Sequence, residues 1–152
     1  RNPDLFRYLP PPQEVEVEIH QFHQRVAQWQ KEEFDMLPYA IEEKGSQRVI
    51  GEIVFRFTDR DHLLGEVGYV LNSQFHRKGY AAEALKGFIP LAFHRFKLNK
   101  LIAACDPDNI PSTRLLEKLG MKKEAHFVRH KFRNGQWRDE VIYAFHKEIV
   151  AT

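Results

Sequence analysis

Residues 64–105 run as an apolar strand, a glycine-containing loop, a long amphipathic segment and a second apolar strand, a succession that leaves few folds open. Leu64 to Leu71 and Lys100 to Cys105 are the strand segments. Between them Leu85, Phe88, Ile89, Ala92, Phe93 and Phe96 recur at helical spacing, predicting a helix from Tyr80 or Ala81 to about Phe96. A helix-bearing connection of this length joins parallel neighbours, whereas antiparallel neighbours need only a short turn. Pro90 falls inside the helical segment and predicts a kink or a break there.

The flanking segments are shorter. Leu37 to Glu43, Arg48 to Thr58 and Leu64 to Leu71 read as strands separated by the turn residues Gly45-Ser46 and Asp59 to Asp61, and their short connections predict an antiparallel meander. Asp108 or Asn109 caps a helix that runs to Leu119, with Pro111 in its first turn and Gly120 at its end. Lys122 to Phe132 and Gln136 to Glu148 read as a hairpin turned at Asn134-Gly135. Near the start, Pro10-Pro11-Pro12 precede an amphipathic helix over Glu14 to Phe34, on which Val15, Ile19, Phe22, Val26 and Trp29 recur at spacings of three or four. Strands mixed with helices in this order predict a layered α/β arrangement.

Composition excludes several classes. The 152 residues suit one domain, and 43% hydrophobic residues with a net charge of +2 exclude a disordered chain. No apolar run approaches the roughly 20 residues that span a bilayer, and no secretory signal is visible. Cys105 is the single cysteine, so an intrachain disulfide is impossible and a reducing, cytoplasmic setting is expected. With 23 basic against 21 acidic residues, the balance gives no argument for direct nucleic-acid binding. The chain begins at Arg1 without an initiator methionine, so residues encoded before it are expected.

Two segments carry candidate chemistry. In the loop from Asn72 to Ala81, Gly79 lets the backbone turn tightly, and the first amides of the following helix lack partners within it. His76, Arg77 and Lys78 add positive charge at the same place, which suits a phosphate or pyrophosphate; an ordinary surface turn is the competing reading. In the second segment, Asp106 to Gly120, Asn109 and Ser112 lie at a helix start, where capping alone also accounts for them. The pairs His20/His23 and His126/His130 lack the cysteine or carboxylate partners of a zinc site, so no metal is expected. Cys105 reads as a packed core residue, and Trp29 and Phe34 as core or as the lining of a substrate groove.

Four stretches together resemble the GNAT superfamily of acyl-CoA N-acyltransferases, in its RimJ/RimL-like branch. Gly65-Glu66-Val67-Gly68-Tyr69-Val70-Leu71 is similar to that branch's cofactor-side strand, and His76 to Ala84 to its pyrophosphate loop. Asn109-Ile110-Pro111-Ser112 with Leu115 to Met121 is similar to its second cofactor segment, and Asn134 to Asp139 to its C-terminal hairpin. The resemblance covers nearly the whole chain in order. It departs from the pattern at His76, where the branch has Gln or Arg, and at Arg77, where it often has Gly. The segment that would hold the family's first strand is missing or truncated at Arg1, so residues 1–152 are expected to form one GNAT-like domain without that strand.

The resemblance implies a mixed, mostly antiparallel sheet of about six strands with helices on both faces. It implies acetyl-CoA as co-substrate, with Tyr69, Val70 and Leu71 along the pantetheine arm and the amides of Arg77, Lys78, Gly79, Tyr80 and Ala81 on the pyrophosphate, beside His76. Asn109 would bond to the pantetheine region and Ser112 would sit near the sulfur. A neutral amine must attack the thioester, so a base is needed, and Glu66 is the candidate, an exposed strand carboxylate being the other reading. Many relatives protonate the departing thiolate with a tyrosine on the second helix; this chain has none between Asp106 and Gly120, and Ser112 is the substitute. A main-chain amide near Tyr69 or Val70 would polarise the thioester carbonyl. The acceptor implied first is a protein or peptide N-terminal α-amine of the ribosomal-protein type. A small-molecule amine such as a polyamine, amino acid or antibiotic is the alternative, and a non-catalytic acyl-CoA-binding domain is the alternative of another class. Similar proteins are monomers or homodimers.

Overall fold

A computed structural model describes residues 36–147. The helix expected over residues 14–34, with His20, His23, Trp29 and Phe34, lies outside the described residues. Six strands, β1 (Leu37–Glu43), β2 (Arg48–Asp59), β3 (Leu64–Leu71), β4 (Lys100–Cys105), β5 (Lys122–Arg133) and β6 (Gln136–His146), form one sheet in the order β1-β2-β3-β4-β6-β5. Two helices, α1 (Tyr80–Phe96) and α2 (Ile110–Lys118), fill the crossovers from β3 to β4 and from β4 to β5. The β3–β4 pair is parallel and the other ladders are antiparallel, so the meander, the crossover unit and the final hairpin take the predicted arrangement. Asn134 and Gly135 turn that hairpin with φ of 51° and 76°, the two positive values that a type I′ turn requires.

Alternation decides which face is buried. Ile53, Phe55 and Phe57 of β2, Val67 of β3, Leu101 and Ala103 of β4, and Val141, Tyr143 and Phe145 of β6 share one face and form the main core with both helices. The α1 residues Leu85, Phe88, Ile89, Ala92 and Phe93 are buried at the three-and-four spacing read from the sequence. Each large side chain fully removed from water contributes about 1.5–3 kcal/mol, so this face dominates the stability of the domain. Phe55 lies at its centre, stacked on Phe96 with ring centroids 4.3 Å apart and edge-on to Phe57.

One expectation changes. Pro90 does not break α1, which runs through it to Phe96; Pro90 lies on the solvent face, where water can satisfy the carbonyl left without its amide donor. The two described helices pack on the same face of the sheet, and the third helix expected from sequence lies outside the described residues. Both crossovers step in one direction across the sheet, and right-handed crossovers in one direction deliver their helices to one side.

Candidate active site

The strands β3 and β4 pair only through Leu64–Lys100, Gly65–Leu101 and Glu66–Ile102. Beyond that point β3 continues to Leu71 on β2, and β4 continues to Cys105 on β6, without pairing to each other. The two strands therefore part inside the sheet and leave backbone groups of β3 facing a gap. The Asn72 amide donates to the Ile50 carbonyl at 2.7 Å. In an antiparallel ladder the residues that point at the partner alternate, so Val70 and Gly68 also face β2, while Leu71, Tyr69 and Val67 turn their amides and carbonyls to the gap. Of the two amides considered from sequence, that of Tyr69 faces the gap and that of Val70 faces β2.

The loop at the wide end of the gap is seated on a second small core of Ile50, Leu71 and Phe75, against which Ile41, Tyr80 and Ala81 pack. Asn72 caps the short 3-10 turn Ser73–Phe75, its side chain accepting from the Gln74 amide at 3.1 Å. Arg77 and Gly79 then take positive φ values of 62° and 80°. That conformation explains why similar loops carry glycine at the position of Arg77, where a side chain costs about 1–2 kcal/mol. Gly79 caps α1 without a side-chain hydrogen bond, and the first helical bond runs from Glu83 to the Gly79 carbonyl at 3.0 Å. The amides of Tyr80, Ala81 and Ala82 are left to an external acceptor, and the helix dipole favours an anionic one. Arg77 and Lys78 are exposed beside them.

Two further side chains of this loop are already engaged. His76 Nε2 donates to the Leu71 carbonyl at 2.9 Å, closing the end of β3, so its ring serves the loop's shape. Tyr80 Oη donates to Glu43 Oε2 at 2.5 Å and ties the start of α1 to β1. That bond lowers the pKa of Glu43 and raises that of Tyr80.

Across the gap, α2 starts at Asn109, whose side-chain oxygen accepts from the Ser112 amide at 3.4 Å. The preceding turn is held by Arg138 of β6, which donates to both oxygens of buried Asp106 at 2.7 and 3.1 Å and to Asp108 at 2.7 Å. Burial pushes the Asp106 carboxyl up, but hydrogen bonds from Arg138 and the Asp108 amide outweigh it and leave the pKa below the ordinary value. Ser112 Oγ lies 3.0 Å from Tyr69 Oη, which bridges β3 and α2 over the gap. Burial raises the Tyr69 phenol above its usual pKa. Cys105, half-buried at the end of β4, is pushed up to about 11, first by burial and then by the charges of Asp106, Glu140 and Glu117, so its thiol stays protonated at neutral pH.

Glu66 sits at the last β3–β4 pair, where the strands begin to part, and Arg56 Nε donates to its Oε1 at 2.6 Å. It shares the face of Gly68 and lies on the opposite side of the sheet from Tyr69 and Ser112. The structure thus brings Tyr69, Asn109 and Ser112 together on the helix side and places Glu66 behind the gap. Of the histidines considered for a metal, His126 bonds to Asp139 at 2.8 Å and His130 stacks on Phe127, while His20 and His23 lie outside the described residues.

Sequence reading missed the Tyr69–Ser112 bond and the Arg138 clamp. Their partners are 43 and 32 positions apart, and no local pattern signals them.

The family model described as "Acetyltransferase (GNAT) domain" matches residues 1–122. The chain belongs to the GNAT acetyltransferase family. Among curated relatives of this GNAT domain, YnaD of Bacillus subtilis (strain 168), an uncharacterized N-acetyltransferase, is 38% identical over 100 residues, covering 66% of this chain and 58% of YnaD. The [ribosomal protein uS5]-alanine N-acetyltransferase of Escherichia coli (strain K12) is 32% identical over 78 residues, 51% of this chain and 40% of that protein. The chain thus spans about three fifths of the length of YnaD and less of the second. A solved GNAT-family acetyltransferase from Bacillus anthracis superposes with a TM-score of 0.79 at 31% identity, over 95% of this chain and 82% of that one. The six-stranded, mostly antiparallel sheet with a parallel β3–β4 pair is the fold this GNAT domain shares with that structure.

Proposed function

We propose that this GNAT domain transfers an acetyl group from acetyl-CoA directly to a primary amine, and that the amine is the N-terminal α-amine of a protein or peptide. The observation that carries the reading is the parting of β3 from β4 after Glu66, with a helix start that no side chain caps at its mouth. The unpaired edge of β3 at Val67, Tyr69 and Leu71 suits the amides and carbonyls of a pantetheine arm, although His76 already occupies one side of the Leu71 carbonyl. The free amides of Tyr80 and Ala81, with the charges of Arg77 and Lys78, suit its pyrophosphate. The amide side chain of Asn109 retains its NH2 group for the pantetheine region. The Tyr69 amide would donate to the thioester carbonyl, where negative charge develops during attack.

With the co-substrate on the helix side, the acceptor approaches from the other face, where Glu66 can take its proton. An α-amine of pKa about 7.8 is roughly one-seventh neutral at pH 7, whereas an amine near 10.4 is neutral less than one time in a thousand. The demand on the base is therefore smallest for an α-amine. The local similarity to the uS5-alanine enzyme supports the same acceptor class. The raised pKa of Cys105 argues against an acyl-cysteine route, because a protonated thiol is a poor nucleophile.

Two measurements test the reading. At 100 times its dissociation constant, acetyl-CoA should stabilise the fold by about 2.7 kcal/mol in thermal unfolding. Release of free CoA should follow addition of a peptide with a free N-terminus and stop when the same peptide is blocked there. Turnover on spermidine or free amino acids with none on peptides would move the acceptor to small molecules. Binding without turnover on any amine would leave a non-catalytic acyl-CoA-binding domain.

A further inference from the structure

Ser112 and Tyr69 form a pair that capping does not explain. Ser112 lies in the first turn of α2, and its amide is already satisfied by Asn109. Its neighbour Thr113 spends its hydroxyl on the Ile110 carbonyl at 3.1 Å, the usual bond of such a residue to its own helix. The Ser112 hydroxyl instead leaves the helix and meets the Tyr69 hydroxyl at 3.0 Å. Tyr69 stands on the strand whose backbone faces the gap, so the two hydroxyls lie beside the place where the thioester would be held.

Resting on the acetyl-transfer reading above, we propose that Tyr69 is a positioning residue: its phenol donates to Ser112 Oγ and turns the Ser112 proton toward the departing sulfur, so that CoA leaves as a thiolate held by a hydrogen bond. Proton transfer from the pair is the weaker alternative. A thiol ionises near 8.5 and an ordinary tyrosine near 10, so handing the phenol proton to a thiolate is unfavourable by about 30-fold before burial is counted. Burial of Tyr69 enlarges that gap. A serine hydroxyl is a weaker acid still. With Tyr69 donating, Ser112 Oγ uses a lone pair on the phenol and keeps its own proton for the sulfur, and hydrogen bonds in series strengthen one another. The step balances: the nitrogen–carbon bond forms, the carbon–sulfur bond breaks, the sulfur leaves with the electron pair and Glu66 takes the amine proton. Glu66 and the thiolate then re-equilibrate with water after release.

The test needs no acceptor. The thiol of CoA bound to the protein is titrated by the ultraviolet absorbance of its thiolate, beside free CoA. A donor held against the sulfur should raise the thiol's ionisation constant about tenfold, the worth of one hydrogen bond. Ser112→Ala should abolish the shift, Tyr69→Phe should remove most of it, and the double variant should match Ser112→Ala. Unfolding temperature and CoA affinity show whether each variant is intact. Where an acceptor turns over, Tyr69→Phe should lower kcat about tenfold with KM for acetyl-CoA unchanged and no change in the alkaline side of the pH profile. Bound CoA that titrates like free CoA in the unsubstituted protein overturns the proposal, even if Tyr69→Phe fails to fold. A full shift in Tyr69→Phe, or losses that add in the double variant, also overturn it. Failure of CoA to bind at all would instead remove the acetyl-transfer reading on which the proposal rests.

Discussion

Adding a single methyl group at Gly65 tests whether the core fixes the point from which β3 and β4 diverge. A Cβ there would lie 2.5 Å from Phe55 Cε2, 2.9 Å from Phe55 Cζ and 3.3 Å from Leu98 Cδ2. Carbon atoms settle about 3.5–4.0 Å apart, so the ring must retreat by about 1 Å. Phe55 is fully buried, stacked on Phe96 and edge-on to Phe57, so no open space receives it. Overpacking of this kind costs about 1–3 kcal/mol. The lower chain entropy of alanine in the unfolded state offsets about 0.4–1 kcal/mol. The midpoints of the two ranges leave a net cost of about 1.3 kcal/mol, so at about 2–4 °C per kcal/mol for a domain of this size Gly65→Ala should lower Tm by about 3–5 °C. Gly68→Ala is the control on the same strand, because a Cβ there meets none of the described residues within 4 Å. Thermal unfolding followed by circular dichroism reads both. A Gly65→Ala protein as stable as Gly68→Ala would refute the packing argument. Because Gly65 belongs to one of only three β3–β4 pairs, Gly65→Ala should also weaken acetyl-CoA binding.

Glu66→Gln keeps a hydrogen-bond acceptor for Arg56 but cannot take a proton; turnover should fall about 10²–10⁴-fold with acetyl-CoA affinity spared, and unchanged turnover would exclude Glu66 as the base. Arg77→Glu should weaken acetyl-CoA binding, with the loss shrinking as salt is added; equal affinity at low salt would make the loop's charge incidental. Cys105→Ser should retain turnover with single-displacement kinetics, whereas abolished turnover in a folded protein would point to an acyl-cysteine route. Arg138→Met should cost about 3 kcal/mol, the lower end of the range for stranding a buried carboxylate because Arg138 is partly exposed, and equal stability in urea titration would count against the clamp. The lowered pKa of Asp106 means its contribution is complete above the unfolded value of 3.8 and fades as pH falls through the folded one; Asp106→Asn should remove that part of the acid limb in Tm against pH, and an unaltered limb would assign it to other groups.

Much of the frame was legible because its signals are short-ranged. The spacing of Leu85, Phe88, Ile89, Ala92 and Phe93 records one turn of helix after another, and Asn134-Gly135 carries its turn geometry in two residues. Of the kink or break that Pro90 predicts, the break does not occur, because a proline's cost depends on whether the abandoned carbonyl meets water or core, and only packing settles that. The roles of His76 and Tyr80 were half legible. Their place in the loop ahead of α1 follows from sequence, but the use of their side chains on Leu71 and Glu43 depends on strands brought in from elsewhere.

The succession of elements, the parallel crossover, the hairpin and the loop ahead of α1 were determined by the sequence alone, since periodicity and turn chemistry act over a few residues. Tertiary structure decided where β3 and β4 part, which β3 amides face the gap, and that Tyr69 meets Ser112 while Arg138 holds Asp106. Those features depend on strand register and on chain crossings that bring residues more than thirty positions apart to within 3 Å, and no local pattern encodes such a distance.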